Sequence, residues 1–414
     1  MKLDLTDMLY ALSFALDKVE TELLGVDTGH GKRVAYMALL TGKQAGYEDE
    51  ELRDFIGCCL LHDNALTEFI YEELSNSHLS DGVNLAELAQ RKNDKLKRHH
   101  SIVGEENIRL LPFRTDVKDI ILYHHENADG TGALGKKANE TLLKAQILHL
   151  VDMADAALHL DLENLDAEEY ENLCRWVKSR TGTLFSEEVT ALFLKAVTYE
   201  KLLEMRKKGL FPTLHEELHK EILDYSDREI HNIAELFAKI VDYKSEFTER
   251  HSTGVAQKAE IMAHYYGFDA EKSIRFYFAG ALHDIGKLAI ANGILEKPDK
   301  LTAEEFAQMK NHASATYYIL SQVKEIPDIL EWASNHHEKL NGKGYPRGLS
   351  AQELSFEDQL MAVVDIYQAL TEKRPYKDGM SHEKTMSILF EMTEKGELNE
   401  KIVHDMDKVM AGKA

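Results

Sequence analysis

Apolar residues recur at three- and four-residue spacing along most of this chain. In residues 230–241, isoleucine, leucine and phenylalanine return every three or four positions, as they do on one face of an amphipathic helix. Alternating β-branched runs of useful length are absent, and only 6 prolines interrupt the pattern. Glycines are concentrated at 129–132 and 341–346, which predicts loops there. The pattern predicts an all-α protein.

Charge and composition exclude several functional classes. The chain carries 49 Lys+Arg against 72 Asp+Glu, a net charge of -23, which repels polyanions and argues against a nucleic-acid polymer as partner. Its three cysteines, Cys58, Cys59 and Cys174, do not form the paired framework of secreted domains. The first residues lack a signal peptide, and no apolar run is long enough to span a membrane. We therefore expect a cytoplasmic protein with no membrane partner.

The histidines reveal an internal duplication. Ten of the 20 histidines fall into two sets of five in the same order, and each set also contains two aspartates. Equivalent positions are 221 residues apart at first and 212 or 213 apart later. The first set is His30, His62, Asp63, His100, His124, His125 and Asp152. The second set is His251, His283, Asp284, His312, His336, His337 and Asp365.

The duplication predicts two domains, at residues 1–225 and 226–414, with the acidic segment 161–227 appended largely to the first. No Gly/Ser-rich linker separates the halves, so we expect the two domains to pack against each other within the chain. The sequence leaves the oligomeric state open, with a homodimer as one alternative.

The second set has the chemistry of a metal centre. Imidazole and carboxylate are ligands of divalent metals, and seven such groups exceed what one ion can use. A carboxylate has two oxygens and can join two ions, which makes Asp284 the candidate bridge. Two neighbouring ions can activate water and clamp a phosphoryl oxygen. The alternative interpretation of one His-Asp pair is a buried polar pair, but the complete ordered set favours metal binding.

The motifs of the second half resemble those of the HD-GYP phosphodiesterases over roughly 130 residues. They are His283-Asp284-Ile285-Gly286-Lys287, Met309-Lys310-x-His312, His336-His337-Glu338-x-x-Asn341-Gly342-x-Gly344-Tyr345-Pro346, Val364-Asp365, Ala369-Leu370-Thr371 and Arg374-Pro375-Tyr376-Lys377. The resemblance implies two tandem HD-domain helical bundles, the second of HD-GYP type. It also implies a metal-dependent phosphodiesterase whose substrate is a cyclic dinucleotide, either cyclic di-GMP or 3',3'-cyclic GMP-AMP. The product is a linear dinucleotide or mononucleotides.

The resemblance also assigns roles to individual residues. One ion is held by His251, His283, Asp284 and Asp365, and the other by Asp284, His312, His336 and His337. Iron or manganese is implied, while the ligand types also admit zinc, nickel, cobalt or magnesium. Lys287 is expected to act with Asp284 in catalysis by holding a phosphate oxygen where charge develops. The expected substrate-binding residues are Lys343, Gly344, Tyr345, Pro346 and Arg347; Tyr345 could instead pack on its own domain.

Two positions in the second half depart from the family pattern. Phe247 stands where three-metal members have a glutamate, so we expect two ions. Asn341 replaces an aspartate in the glycine loop, a change that should alter the turn little.

The first half keeps seven candidate ligands, His30, His62, Asp63, His100, His124, His125 and Asp152, as a second metal site. His99 is an alternative to His100. Leu66 replaces the lysine, so we expect this half to lack full catalytic machinery. It either binds metal or a nucleotide and regulates the second half, or serves as a packing platform. Two other functions stay open for the whole chain: an HD-type nucleotidase or triphosphohydrolase, and a non-catalytic nucleotide-sensing scaffold.

Overall fold

The computed structural model describes residues 1–24, 29–69, 93–158, 165–244, 251–295, 297, 299–373 and 378–411. The predicted all-α class is confirmed: the described residues are mostly helical, and their strands are limited to β1 (Lys2–Leu3) and β2 (Leu223–Asp224), which pair antiparallel. Phe247 and residues 374–377 lie outside the described residues. No described helix is both long and apolar enough to cross a membrane.

The chain divides into two compact units, of which one includes Asp4–Phe69 and Val83–Ile222. Its helices are α1 (Leu5–Leu24), α2 (His30–Ala45), α3 (Asp49–Leu60), α4 (Asn93–Ile108), α5 (Leu143–Leu158), α6 (Ala167–Lys178), α7 (Glu187–Ala196), α8 (Tyr199–Lys208) and α9 (Leu210–Glu217), with a 3₁₀ turn at Ala138–Glu140. Helix α2 is the centre of this unit, because every residue from His30 to Gly42 is buried.

The other unit contains Met1–Leu3 and Leu223–Ala414. Its helices are α10 (Asp227–Asp242), α11 (His251–Tyr265), α12 (Ala270–Leu282), α13 (Asn292–Leu295), α14 (Ala303–Leu320), α15 (Pro327–Ser334), α16 (Phe356–Thr371), α17 (His382–Glu394) and α18 (Glu400–Met410), with a 3₁₀ turn at Ile285–Ala289. The unit thus includes the first strand of the chain, which the helical pattern did not predict. The predicted boundary between residues 225 and 226 stays a prediction.

Local sequence signals set the starts of the helices in the second unit. Ser226 begins α10 by accepting a hydrogen bond from Glu229 N–H, and the Glu229 side chain accepts from Ser226 N–H in return. The same capping box begins α14 and α16. Helices α11 and α12 approach closely at Gly280, where a Cβ would lie 2.9 Å from Ala256 Cα. These helix starts and this close approach position the helices that carry the histidines and aspartates of the second set.

Candidate metal centre

The second unit brings all seven of its predicted ligands into one buried cluster. Each comes from the end of a helix or from a helix face turned inward. The residues are His251 at the start of α11, His283 and Asp284 after α12, His312 in α14, His336 and His337 after α15, and Asp365 in α16. All are buried except His337, which is partly exposed. Three overlapping groups of side-chain donors lie close enough together to hold metal ions.

Backbone carbonyls fix the orientation of three imidazoles. The Nδ1 atoms of His283, His312 and His336 each lie 2.6–2.7 Å from the carbonyl oxygen three residues earlier. A carbonyl oxygen only accepts hydrogen bonds, so each Nδ1 carries a proton, which leaves Nε2 as the atom that can bind a metal. This is the tautomer of a histidine that binds metal through Nε2.

The Nε2 atoms of the ligand histidines approach one another closely. The Nε2 atoms of His312 and His336 are 3.4 Å apart, and those of His283 and His251 are 3.3 Å apart. For His312 and His336 both atoms are acceptors, so their approach is repulsive unless a cation lies among them. Asp284 Oδ1 is also buried without a hydrogen-bond donor. The donor set therefore fits divalent metal ions.

Asp284 lies between two groups of histidines. Its Oδ2 is 3.1 Å from His283 Nε2 and 3.6 Å from His251 Nε2. Its Oδ1 is 3.5 Å from His312 Nε2 and 3.9 Å from His336 Nε2. Each carboxylate oxygen thus faces a different histidine pair, which is the arrangement that a bridging carboxylate requires.

The ionisation states of Asp284 and His337 suit metal ligands. Burial alone would raise the pKa of Asp284, but the charges of His283 and Lys287 hold that pKa well below its usual range. Burial lowers the pKa of His337 to about 3, against the opposing charge of Asp365. The carboxylate is therefore ionised and the imidazole neutral near neutral pH, as coordination demands.

Lys287 lies beside the cluster in the 3₁₀ turn after Asp284. Its Nζ is 2.5 Å from Asp284 Oδ2, and its side chain keeps 19% of its surface exposed. The ammonium group is therefore at the edge of the cluster, within reach of both the carboxylate and solvent.

The glycine loop also lies beside the cluster. The Tyr345 ring is 4.7 Å from the His337 ring. Gly344 is required for close packing, because a Cβ there would lie 2.4 Å from Glu338 Cα. Asn341 Oδ1 accepts the backbone N–H of Lys343 at 3.1 Å, a bond that an aspartate could equally accept.

The predicted substrate-binding residues of this loop differ in their surroundings. Lys343 is exposed, while Gly344, Tyr345 and Pro346 are half-buried. The Arg347 guanidinium is bound by Glu331 and by Asn335 Oδ1, so its charge is already neutralised in part. Its contribution to substrate binding stays a prediction.

The first unit assembles its seven predicted ligands in the same way. Its ligands are His30 at the start of α2, His62 and Asp63 after α3, His100 in α4, His124 and His125 in the turns that follow, and Asp152 in α5. Asp63 again has one oxygen on each side, 3.3 Å from His100 Nε2 and 3.5 Å from His62 Nε2. His62 Nε2 is buried without a hydrogen-bond partner.

Two details separate the first cluster from the second. His100, and not the alternative His99, faces Asp63. Leu66, at the position of Lys287, is fully buried, so no ammonium group reaches this cluster from the turn. These donors fit a divalent ion, but at the position of Leu66 the first cluster lacks the ammonium group that lies at the edge of the second.

The sequence pattern missed the carboxylates behind the first histidine of each set. His30 Nδ1 is 2.7 Å from Asp155 Oδ2, and Asp155 also binds Arg33. In the second unit, His251 Nδ1 is instead 3.2 Å from Glu372 Oε2. Helical spacing was the available signal, since Asp155 follows its ligand aspartate by three residues and Glu372 follows Asp365 by seven.

We expect Glu372→Gln to reduce metal affinity by about 10- to 100-fold, because a carboxylate behind a ligand histidine orients the ring and raises its basicity. The measurement is the metal content per chain after dialysis against graded chelator. Glu394→Gln, at an exposed glutamate at the end of α17, is the matched control. Equal metal retention in both variants would contradict the role of Glu372.

Comparisons with known proteins agree with this duplicated arrangement. Family models described as HD domain match residues 28–157 and 235–402. The chain is 29% identical over 413 residues to 3'3'-cGAMP-specific phosphodiesterase 1 of Vibrio cholerae, with 96% of this chain and 90% of that protein covered. It is 35% identical over 179 residues to a cyclic di-GMP phosphodiesterase of Thermotoga maritima, with 42% of this chain and 48% of that protein covered.

A solved structure extends the comparison to the fold. The crystal structure of a cyclic GMP-AMP specific phosphodiesterase of V. cholerae superposes with a TM-score of 0.66, covering 99% of this chain and 98% of that chain, at 22% identity. The prediction of two tandem HD helical bundles is confirmed.

Proposed function

Because this chain belongs to the HD-domain family and carries one HD domain in each half, we propose that it is a metal-dependent phosphodiesterase that hydrolyses a cyclic dinucleotide in its second half. The observation that carries the proposal is the position of Asp284, whose two oxygens face two different histidine pairs. Two histidine pairs on either side of one carboxylate suit a phosphodiester, whose phosphate has two non-bridging oxygens to be held.

We further propose two divalent ions in the second half, iron or manganese. His251, His283, Asp284 and Asp365 would hold one ion, and Asp284, His312, His336 and His337 the other. When bound, such ions lower the pKa of water and polarise a phosphoryl oxygen. The chain itself orients the imidazoles through backbone carbonyls and keeps the ligand carboxylates ionised.

Cyclic GMP-AMP is the substrate that we propose first. The V. cholerae relative named for it aligns with 96% of this chain, whereas the T. maritima cyclic di-GMP phosphodiesterase aligns with 42%. If substrate preference depends on both halves, this chain should share the preference of the V. cholerae relative, which aligns with both. Cyclic di-GMP is therefore the second substrate to compare.

The test is incubation of the purified full chain, loaded with manganese or ferrous iron, with cyclic GMP-AMP, cyclic di-GMP or GTP. We expect chromatography to reveal a linear dinucleotide from the cyclic substrates and unchanged GTP. Loss of GTP with intact cyclic dinucleotides would replace the proposal with a triphosphohydrolase. If a metal-loaded chain cleaves none of them, a nucleotide-sensing scaffold becomes the better interpretation.

For the first half we propose a second metal site, held by the His30 to Asp152 set, that supports or regulates the second half. Its support is the matching bridge geometry of Asp63 and the buried, unpartnered His62 Nε2. Metal analysis of the intact chain tests it: more than two ions per chain supports the site, and two or fewer favours a packing role. A homodimer, domain packing and a cytoplasmic location stay predictions.

We expect Lys287→Ala to lower kcat by about 100- to 1,000-fold, because the ammonium group is placed to stabilise charge that develops on a phosphate oxygen. Metal content should not change, since Lys287 is not a ligand. The control is Lys395→Ala, which removes a lysine paired with Glu391 on an exposed helix. Loss of metal in Lys287→Ala would instead assign this lysine to maintenance of the cluster.

A further inference from the structure

An aromatic and cationic patch lies on helix α14, beside the candidate metal centre. Phe306 is 48% exposed. One helical turn later, Lys310 Nζ lies 4.8 Å from the centroid of the Phe306 ring and 5.2 Å from that of the Tyr345 ring. The ammonium group thus lies near two aromatic rings, one from the helix and one from the glycine loop.

The patch is continuous with the metal ligands. The Tyr345 ring lies 4.7 Å from the His337 ring and 6.3 Å from the His312 ring. Helix α14 itself carries His312, only two residues after Lys310. A substrate whose phosphate lies at the histidine cluster would therefore extend over Tyr345 toward the patch.

Lys310 contributes a positive charge to the patch. Within the described part of the chain, Lys310 makes no ion pair with a carboxylate, whereas the nearby Lys297 is paired with Glu305 and Lys287 with Asp284. A single exposed aromatic residue needs no special explanation. An exposed phenylalanine, an unneutralised ammonium group and a tyrosine that reaches the metal ligands together match an aromatic base with an attached phosphate.

We propose that Phe306, Lys310 and Tyr345 form a subsite for one nucleotide of the substrate, an inference that rests on the proposed function. The purine ring stacks on the exposed aromatic surface, and the Lys310 ammonium neutralises the phosphate that is not cleaved. The subsite thus binds the half of the cyclic dinucleotide that does not react, and supplies local positive charge that the chain as a whole lacks.

The test compares Phe306→Ala and Lys310→Met with the unsubstituted full chain, all loaded with manganese. We expect the KM for cyclic GMP-AMP to rise about tenfold in each variant while kcat changes by less than about twofold, because stacking and phosphate binding are remote from the reacting bond. Methyl p-nitrophenyl phosphate, a phosphodiester with no purine and with its single ring on the leaving group, should be hydrolysed at an unchanged rate by both variants.

The controls are Tyr318→Ala, an exposed aromatic residue near the end of the same helix, and Lys324→Met, an exposed lysine beyond it. An unchanged KM in the two patch variants would overturn the subsite while leaving the phosphodiesterase proposal intact. Equal losses with both substrates would also overturn it, since they would indicate damage to the metal centre. If the unsubstituted chain cleaves methyl p-nitrophenyl phosphate but no cyclic dinucleotide, the proposed function fails and the subsite fails with it.

Discussion

Asp284→Ala is expected to lower turnover by about a thousandfold or more and to release metal from the second half. A shared ligand contributes to both ions, and stabilisation of transition-state charge by metal is worth several kcal/mol, where each 1.36 kcal/mol is about tenfold in rate. The substitution also removes the one carboxylate among the described residues that lies within 4 Å of the Nε2 atoms of His251, His283, His312 and His336 together. The measurements are kcat with cyclic GMP-AMP and metal content per chain.

Asp63→Ala is the matched variant, because Asp63 has the same position between histidines in the first half. We expect it to lose metal from the first half and to retain the metal of the second. Full metal content together with full activity in Asp284→Ala would disprove the bridging assignment. Loss of all metal in Asp63→Ala would indicate that the two clusters do not load independently.

Gly286→Ala is expected to cost about 1–3 kcal/mol or more of folding stability and to lower activity with it. A Cβ at Gly286 would lie 2.0 Å from the His312 carbonyl oxygen and 2.6 Å from Thr316 N. These are backbone atoms of α14, so relief requires the 3₁₀ turn and the helix to separate. That separation would move His312 away from Asp284, because the two ligands lie on opposite sides of this contact.

Gly293→Ala is the control for this substitution. Gly293 lies in the short helix α13, and a Cβ there would meet no atom within 4 Å. We expect no loss of stability, since alanine favours a helix more than glycine does. Thermal unfolding of both variants measures the difference, and similar unfolding temperatures for the two would refute the steric argument.

In the first half, the corresponding contact between turn and helix is made by different residues. There Ala65 occupies the position of Gly286, and Gly104 in α4 occupies the position of Thr316. A Cβ at Gly104 would lie 3.2 Å from Asn64 Nδ2 and 3.2 Å from Ile121 Cγ2. The small residue is therefore on the helix in the first half and on the turn in the second. Both arrangements let the turn that carries His-Asp approach the helix that carries the next histidine.

Helical class, the duplication and the seven-residue sets could be predicted from the printed sequence. Helix-forming residues act over a few positions, and histidine is infrequent enough that the order of its positions is visible as a pattern. The glycine-rich segments likewise predicted the loops beside each cluster. These features depend on residue type and spacing along the chain, which the sequence contains directly.

The direction of each side chain depended on packing between distant segments. Glu372 meets His251 from 121 residues away, and Lys310 meets Tyr345 from another element of the same unit. The pairing of Arg347 with Glu331, which reduces its free charge, was equally invisible in the motif. Periodicity specifies which face of a helix is apolar, but not which other helix will cover it or at what angle. The angles at which the helices cross place one Asp284 oxygen against each histidine pair, and those angles exist only in the folded chain.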